Sequence, residues 1–219
     1  MSGARGAVEI VEPTQAERAH ARRVAESRAT IPDLELGVEV AMDTAITLAA
    51  ERRVSRAAVL VRACALALRD SPRANAAYRD GRFELYSRIN VGVVLSAQAT
   101  PTVFDAEGKS LEQLDAELQT LAVRAERAEL TPPELSGATF TLSDLGALGI
   151  DRPAIMITGA QAAAVAAGSV RELPVVREGA IVAGQIMQLT LAADSRILFG
   201  AAAASFVTRI KQLLELGTL

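Results

Sequence analysis

The stretch Ile186-Met187-Gln188-Leu189-Thr190-Leu191-Ala192-Ala193-Asp194-Ser195-Arg196-Ile197-Leu198-Phe199-Gly200 decides how the chain is read. Residues 186–190 alternate in the manner of a strand with one buried face, and the run continues to residue 193. A polar Asp-Ser-Arg turn follows, and from about residue 199 to 216 alanines and spaced aliphatic residues read as a helix.

Working outward, residues 163–170, 174–177 and 180–184 read as further strands, with Glu178-Gly179 as a tight turn between two of them. Residues 139–143 and 154–158 add two more. Ser110 opens a charged helix to about Glu129, with Leu111, Leu114, Leu118 and Leu121 on one face, and Thr131-Pro132-Pro133 closes it. Before it come strands at residues 90–95 and 101–104, a hairpin-like Arg79-Asp80-Gly81-Arg82 and a turn over residues 75–78. Ser55 opens a long apolar helix to Asp70, which Ser71-Pro72 stops. Asp43 is expected to cap the helix ahead of it, and residues 34–40 alternate as a half-buried strand. Thr14 and Glu17 form a capping box for a helix to about Ala29, ended by Ile31-Pro32. The organisation is therefore an extended arm, residues 1–13, and one core domain, residues 14–219. Strands and helices interleave without the regular alternation of a doubly wound sheet.

At 219 residues the chain suits one domain with a sizeable core. Half of its residues are hydrophobic but only 3% are aromatic, so the core rests on Ala, Val, Leu and Ile. A net charge of -3 spread over both signs gives no electrostatic footprint for nucleic acid. No apolar run reaches the roughly 18 residues that span a bilayer, so no membrane partner is expected. Cys64 is the only cysteine, which fits a reducing, cytoplasmic setting. One cysteine and one histidine cannot furnish a zinc shell. Gly146-Ala147-Leu148-Gly149 follows a strand but lacks the third glycine and the lysine of a phosphate loop.

Several stretches together resemble one family. Arg22-Arg23-Val24-Ala25-Glu26-Ser27 with Ile31-Pro32, Asn90-Val91-Gly92-Val93, Gly108-Lys109-Ser110-Leu111, Gly137-Ala138-Thr139-Phe140-Thr141-Leu142-Ser143-Asp144-Leu145-Gly146 and Pro174-Val175-Val176 occur in the family's order. The chain resembles the catalytic core of the dihydrolipoyl acyltransferase components of 2-oxo acid dehydrogenase complexes, relatives of chloramphenicol acetyltransferase. The resemblance covers about residues 14–216. It implies a two-layer α/β fold of the chloramphenicol acetyltransferase kind, a mixed sheet packed by helices. It also implies a homotrimer with each site between two subunits, coenzyme A as ligand and no covalently held cofactor. No lipoyl or peripheral-subunit-binding domain is expected before Thr14, and no apolar extension for building a larger cage after Leu219.

The same resemblance locates a site and departs from it. Ser143 matches the family's hydroxyl that stabilises an oxyanion. Ser195 stands where the family has its general-base histidine, and Phe199 where it has an aspartate. Asp144 replaces the usual asparagine, and Thr158-Gly159-Ala160-Gln161 replaces an Asn-Pro-Pro-Gln turn. Residues 96–103, including Pro101, stand for a longer segment that lines the substrate channel, so Pro101 and Asp144 are read as substrate contacts. A serine has no proton-accepting character near neutral pH, whereas imidazole does. The expectation is a catalytically impaired core acting as a structural or ligand-binding homologue, together with an active acyltransferase paralogue. The alternative is a residual or altered acyltransferase that moves an acyl group between coenzyme A or a carrier-protein thiol and an acceptor. His20 reads as a solvated helix residue, Cys64 as a core residue, and Arg18, Arg22, Arg23 and Arg28 as a solvated face that is also the one basic patch to test against coenzyme A.

Overall fold

Short polar signals start most of the helices of the computed structural model, which describes residues 6–94 and 99–219. Helix α1 (Gln15–Thr30) begins at the expected capping box, in which Thr14 Oγ1 accepts from Glu17 N at 3.3 Å and Glu17 accepts from Thr14 N at 2.7 Å. Strand β1 (Asp33–Ala41) follows. Helix α2 (Asp43–Arg52) is not capped by Asp43 as expected: Met42 is its N-cap, without a side-chain bond. The Asp43 carboxylate turns outward instead, accepting from Arg177 at 2.5 Å and Gln185 N at 3.4 Å. Helix α3 (Arg56–Asp70) starts at Ser55, whose hydroxyl accepts from Ala58 N, while Asp115 accepts from Ser55 N at 2.8 Å. Ala58–Val61 and Ala63–Leu68 are buried in an unbroken run on either side of Arg62, so α3 is covered all round, and its alanines let neighbours approach.

Residues 76–78, expected in a turn, belong to strand β2 (Ala76–Arg79), which pairs with β3 (Arg82–Leu85). Asp80 and Gly81, both at positive φ, make the hairpin turn expected at Arg79-Asp80-Gly81-Arg82. Strands β4 (Val91–Val94) and β5 (Thr102–Val103) precede helix α4 (Leu111–Glu126), which opens at the Ser110–Gln113 capping box. Thr131-Pro132-Pro133 does not close α4, which has already ended. It opens the short helix α5 (Pro132–Ser136), because proline at a first helical position forfeits no hydrogen bond. Strand β6 (Phe140–Asp144) comes next.

The four strand segments expected between residues 163 and 193 merge into two, β7 (Ala163–Arg177) and β8 (Ala180–Asp194), with helix α6 (Gly200–Leu216) after them. Antiparallel pairing continues through Pro174↔Ala183 to the Glu178-Gly179 turn, and the only register break is a bulge between Ala167 and Val170. Residues 154–158 form no strand, contrary to expectation. Both edges of the neighbouring β6 are already occupied by β4 and β7, so these residues pack instead: Ile155 and Ile157 lie against Ala164, Ala192 and Ile31.

The main sheet has the order β1-β8-β7-β6-β4-β5 and is mixed, with β4, β6 and β7 parallel and the remaining pairs antiparallel. Phe140, Leu142, Leu189, Leu191 and Val165 point into the principal core with α3, α4 and α6. The intervening residues point to the opposite face and are small or hydroxylated: Thr141, Ser143, Ala164, Ala166, Thr190 and Ala192. Residues 150–162 and the end of α1 cover part of this second face. The crossing is close, since a Cβ on Gly146 would collide with the Gly168 carbonyl and one on Gly168 with the Asp151 carbonyl. At the free edge of β1, Lys211 donates to Glu39 O at 2.5 Å and Glu215 accepts from Ala41 N at 2.9 Å, which blunts half of that edge. Among the described residues no helix is long and apolar enough to cross a membrane.

Candidate functional site

The turn after β8 is held from inside. Asp194 is 1% exposed and its carboxylate accepts from Arg196 Nε at 2.9 Å, Arg196 Nη2 at 2.7 Å and Arg196 N at 3.0 Å. A buried carboxylate without such partners would be strongly destabilising, so the aspartate dictates where the arginine lies. The remaining Arg196 nitrogen, Nη1, donates to Thr30 O at 3.0 Å, and the guanidinium sits 4.5 Å from the Tyr78 ring centroid. Hydrogen bonding to Asp194 raises the Arg196 pKa above its ordinary value, so the guanidinium stays charged. The Asp194 carbonyl takes Ile197 N and Leu198 N at 3.0 and 2.8 Å. One residue pair thus joins the end of β8 to α1 and to the β2–β3 hairpin.

Ser195 rides on this frame. Its amide and its hydroxyl both donate to the Pro32 carbonyl, at 3.1 and 2.6 Å. The hydroxyl proton is therefore committed, and nothing in the turn accepts a proton near neutral pH. Phe199 is the N-cap of α6, makes no capping bond and is 57% exposed.

Ser143 lies near the end of β6 and is buried, level with Ala166 of β7 on the face of small side chains. Its neighbour Asp144, read as a substrate contact, has both carboxylate oxygens on Arg56, whose Nη1 also reaches Gly168 O at 3.4 Å. Asp144 thus fixes the first turn of α3 to the β7 bulge. Thr141, on the same face as Ser143, donates to Gln161 Oε1 at 2.9 Å, and Gln161 in turn reaches Ala138 O. Pro101 is buried and its carbonyl accepts from Val93 N at 2.9 Å. Residues 95–98, part of the segment expected to line a channel, lie outside the described residues.

Within one chain Ser143 and Ser195 are not neighbours. Ser143 is level with Ala166 on β7 and, through it, with Thr190 on β8. At about 4.8 Å per strand and about 3.3 Å per residue, the two serines are separated by roughly 19 Å along a diagonal of the sheet. Ser143 sits near the C-terminal end of β6, whereas Ser195, in the turn past β8, is level with the opposite end. The two positions that the resemblance joins in one site are brought together only if two chains contribute one each.

The other nucleophile and base candidates are remote from both positions. Cys64 is buried in α3 and its thiol is pushed up to about 12 by that burial. His20 is exposed on α1. In the basic cluster Arg28 pairs with Asp33 at 3.0 Å and Arg18 with Glu12 at 3.8 Å. A shallow cleft of about 270 Å³, lined by Leu173, Pro174, Ile181 and Val182 among others, lies on the distal β7–β8 ribbon away from either serine. Sequence reading missed Arg56, Tyr78 and Gln161. Arg56 had a usable signal, an arginine in the first turn of a helix where a cation is unfavourable unless an acid faces it. Tyr78 had none.

The model of the 2-oxoacid dehydrogenases acyltransferase (catalytic domain) family matches residues 5–218. The chain is 33% identical over 210 residues to the dihydrolipoyllysine-residue acetyltransferase component of the pyruvate dehydrogenase complex of Zymomonas mobilis, covering 90% of this chain and 48% of that protein. The corresponding mitochondrial component of Dictyostelium discoideum is 31% identical over 207 residues, with 89% and 33% covered. The chain thus spans about half the length, or less, of the curated relatives it matches. Among solved structures, Azotobacter vinelandii dihydrolipoamide acetyltransferase superposes with a TM-score of 0.91 at 24% identity, covering 97% of this chain and 93% of that one. That structure was determined to examine the catalytic role of a serine, a histidine and an asparagine in that enzyme. A chloramphenicol acetyltransferase superposes with a TM-score of 0.54 at 16% identity, with 94% and 99% covered. These likenesses confirm the expected fold class.

Proposed function

Because the chain belongs to the 2-oxoacid dehydrogenase acyltransferase family, we propose that it is an acyl-transfer core, moving an acyl group between coenzyme A or a carrier-protein thiol and an acceptor thiol. The observation that carries this is Ser143: a buried serine near the end of a central strand, on a sheet face of small side chains. Such a donor suits the oxygen that becomes negative when a thiol attacks a thioester. The relatives named as acetyltransferase components of pyruvate dehydrogenase complexes support the same class of reaction. We place the site between subunits of a homotrimer, since Ser143 and the β8 turn lie far apart within one chain.

A second reading has its own observation. Ser195 donates to Pro32 and offers no base, so an oligomer of this chain alone is a slow transferase, down by about a hundred- to ten-thousandfold on a site with a positioned base. In that reading the chain serves as a structural or ligand-binding member beside an active paralogue. Acetyl transfer from acetyl-coenzyme A to dihydrolipoamide, measured for the wild type and for Ser143→Ala, tests the proposal. Slow turnover that falls further with Ser143→Ala supports a transferase core. Turnover indifferent to Ser143 refutes it.

A further inference from the structure

We propose that Arg56 is a positioning residue for acyl transfer, one that cancels the charge of Asp144 so that negative charge can develop beside Ser143. The inference rests on the transferase reading above and names a residue that reading requires. Ser143 and Asp144 are consecutive on β6, so their side chains leave the strand on opposite faces. Ser143 lies on the face of small residues, level with Ala166. Asp144 follows Phe140 and Leu142 toward the face that carries α3, and there it meets Arg56. The carboxylate thus stands directly behind the serine.

A bare carboxylate in that position works against the chemistry. The acceptor thiol gives its proton slowly to solvent, or to the imidazole of a Ser195→His variant. Its sulfur bonds to the thioester carbonyl carbon, and the carbonyl electron pair moves onto oxygen. Collapse of that pair breaks the old carbon–sulfur bond, and the departing thiolate takes a proton back. Strand geometry sets the Asp144 carboxylate about 9 Å from an oxygen that Ser143 would serve. At an effective dielectric of about 20, one unpaired like charge at that distance slows the step by roughly ten- to thirtyfold. Solvent does little to screen it, since the Asp144 side chain is only 14% exposed.

Three features mark Arg56 as the answer to that charge. Its Nε and Nη2 take one carboxylate oxygen each, the fork arrangement in which a guanidinium meets a carboxylate most completely. Its Nη1 donates to Gly168 O at 3.4 Å, so the guanidinium is held at β7 as well as at β6. It also stands in the first turn of α3, where the helix dipole disfavours a cation and no acidic residue of that turn accompanies it. A cation kept in an unfavourable place, with both ends of its fork engaged, is there for the carboxylate it faces.

Variants of the pair, made in the full chain and again together with Ser195→His and Phe199→Asp, separate a charge role from a purely structural one. Acetyl transfer from acetyl-coenzyme A to dihydrolipoamide is resolved into kcat and KM, with thermal unfolding followed beside it. Arg56→Gln can still hydrogen-bond to Asp144 but carries no charge, and should lower kcat about tenfold or more while KM stays within about threefold of its parent. Arg56→Lys should keep most of kcat. Asp144→Asn removes the opposing charge and should be no slower than its parent. Arg56→Gln combined with Asp144→Asn should recover most of the loss. A clamp that mattered only for structure would slow both single neutralising variants alike, so Asp144→Asn as slow as Arg56→Gln, or a double variant no faster than Arg56→Gln, overturns the inference. If Arg56→Gln does not fold, Arg56→Lys and Asp144→Asn decide: near-parental kcat in both supports the charge role, and a fall of about tenfold in either refutes it. If neither background shows transfer that depends on Ser143, the transferase reading falls and the inference with it. If Ser143 matters and the charges do not, only the inference is wrong.

Discussion

At the scale of single residues, Asp194 and Arg196 carry structure while Ser195 carries little. Replacing Arg196 by leucine leaves Asp194 buried without its cation and should cost about 3–5 kcal/mol, a fall in Tm of roughly 10 °C. Replacing both residues by apolar ones should cost clearly less, because no unpaired charge remains; thermal unfolding of the two variants checks the ordering. Ser195→Ala removes one hydrogen bond to Pro32 O and should cost about 1 kcal/mol by denaturant titration, with acetyl transfer unchanged. The Asp-Ser-Arg turn was legible in the sequence, because an alternating strand and an alanine-rich helix bracket it. Arg56–Asp144 and Arg196–Tyr78 were not, because each joins residues far apart in the chain, and no local pattern reports which surfaces the fold will press together.

Elements were legible where the signal is local and obscured where it depends on neighbours. The capping boxes at Thr14 and Ser110 and the turn at Glu178-Gly179 lie where their side chains and turn chemistry place them. The strand expected over residues 154–158 fails because no sheet edge beside β6 is free, which only the topology reveals. The glycines at 146 and 168 look like loop punctuation in sequence, yet each is needed because two backbones cross in contact. Helix α6 shows an element paying for its sequence at one end, with an exposed phenylalanine as an N-cap whose side chain satisfies none of the free amides. Phe199→Asp alone should therefore raise stability by about 0.5–2 kcal/mol through capping and the helix dipole. Denaturant unfolding of that single variant checks this without any reference to activity, and an unchanged or lower midpoint would mean that the Phe199 ring is packed on a neighbouring chain.

For the molecule as a whole, the mixed sheet under α3, α4 and α6 presents a second face of small and hydroxylated residues, on which Ser143 lies. At roughly 19 Å apart, Ser143 and Ser195 can serve one proposed site only if two chains supply them. The protein should run in light scattering as a trimer of its 23.0 kDa chain, and a monomer at assay concentration would remove the shared site. Ser143 and Ser195 were singled out from the sequence, but their placement at opposite ends of β6 was not legible there, because strand order separates them. The central claim is that this is an acyl-transfer core lacking only the base in its own turn. The most direct measurement is the rate of acetyl transfer from acetyl-coenzyme A to dihydrolipoamide by the Ser195→His, Phe199→Asp variant beside the wild type. The account predicts a gain of about a hundredfold or more that Ser143→Ala reverses. Equal rates in the two proteins would contradict it.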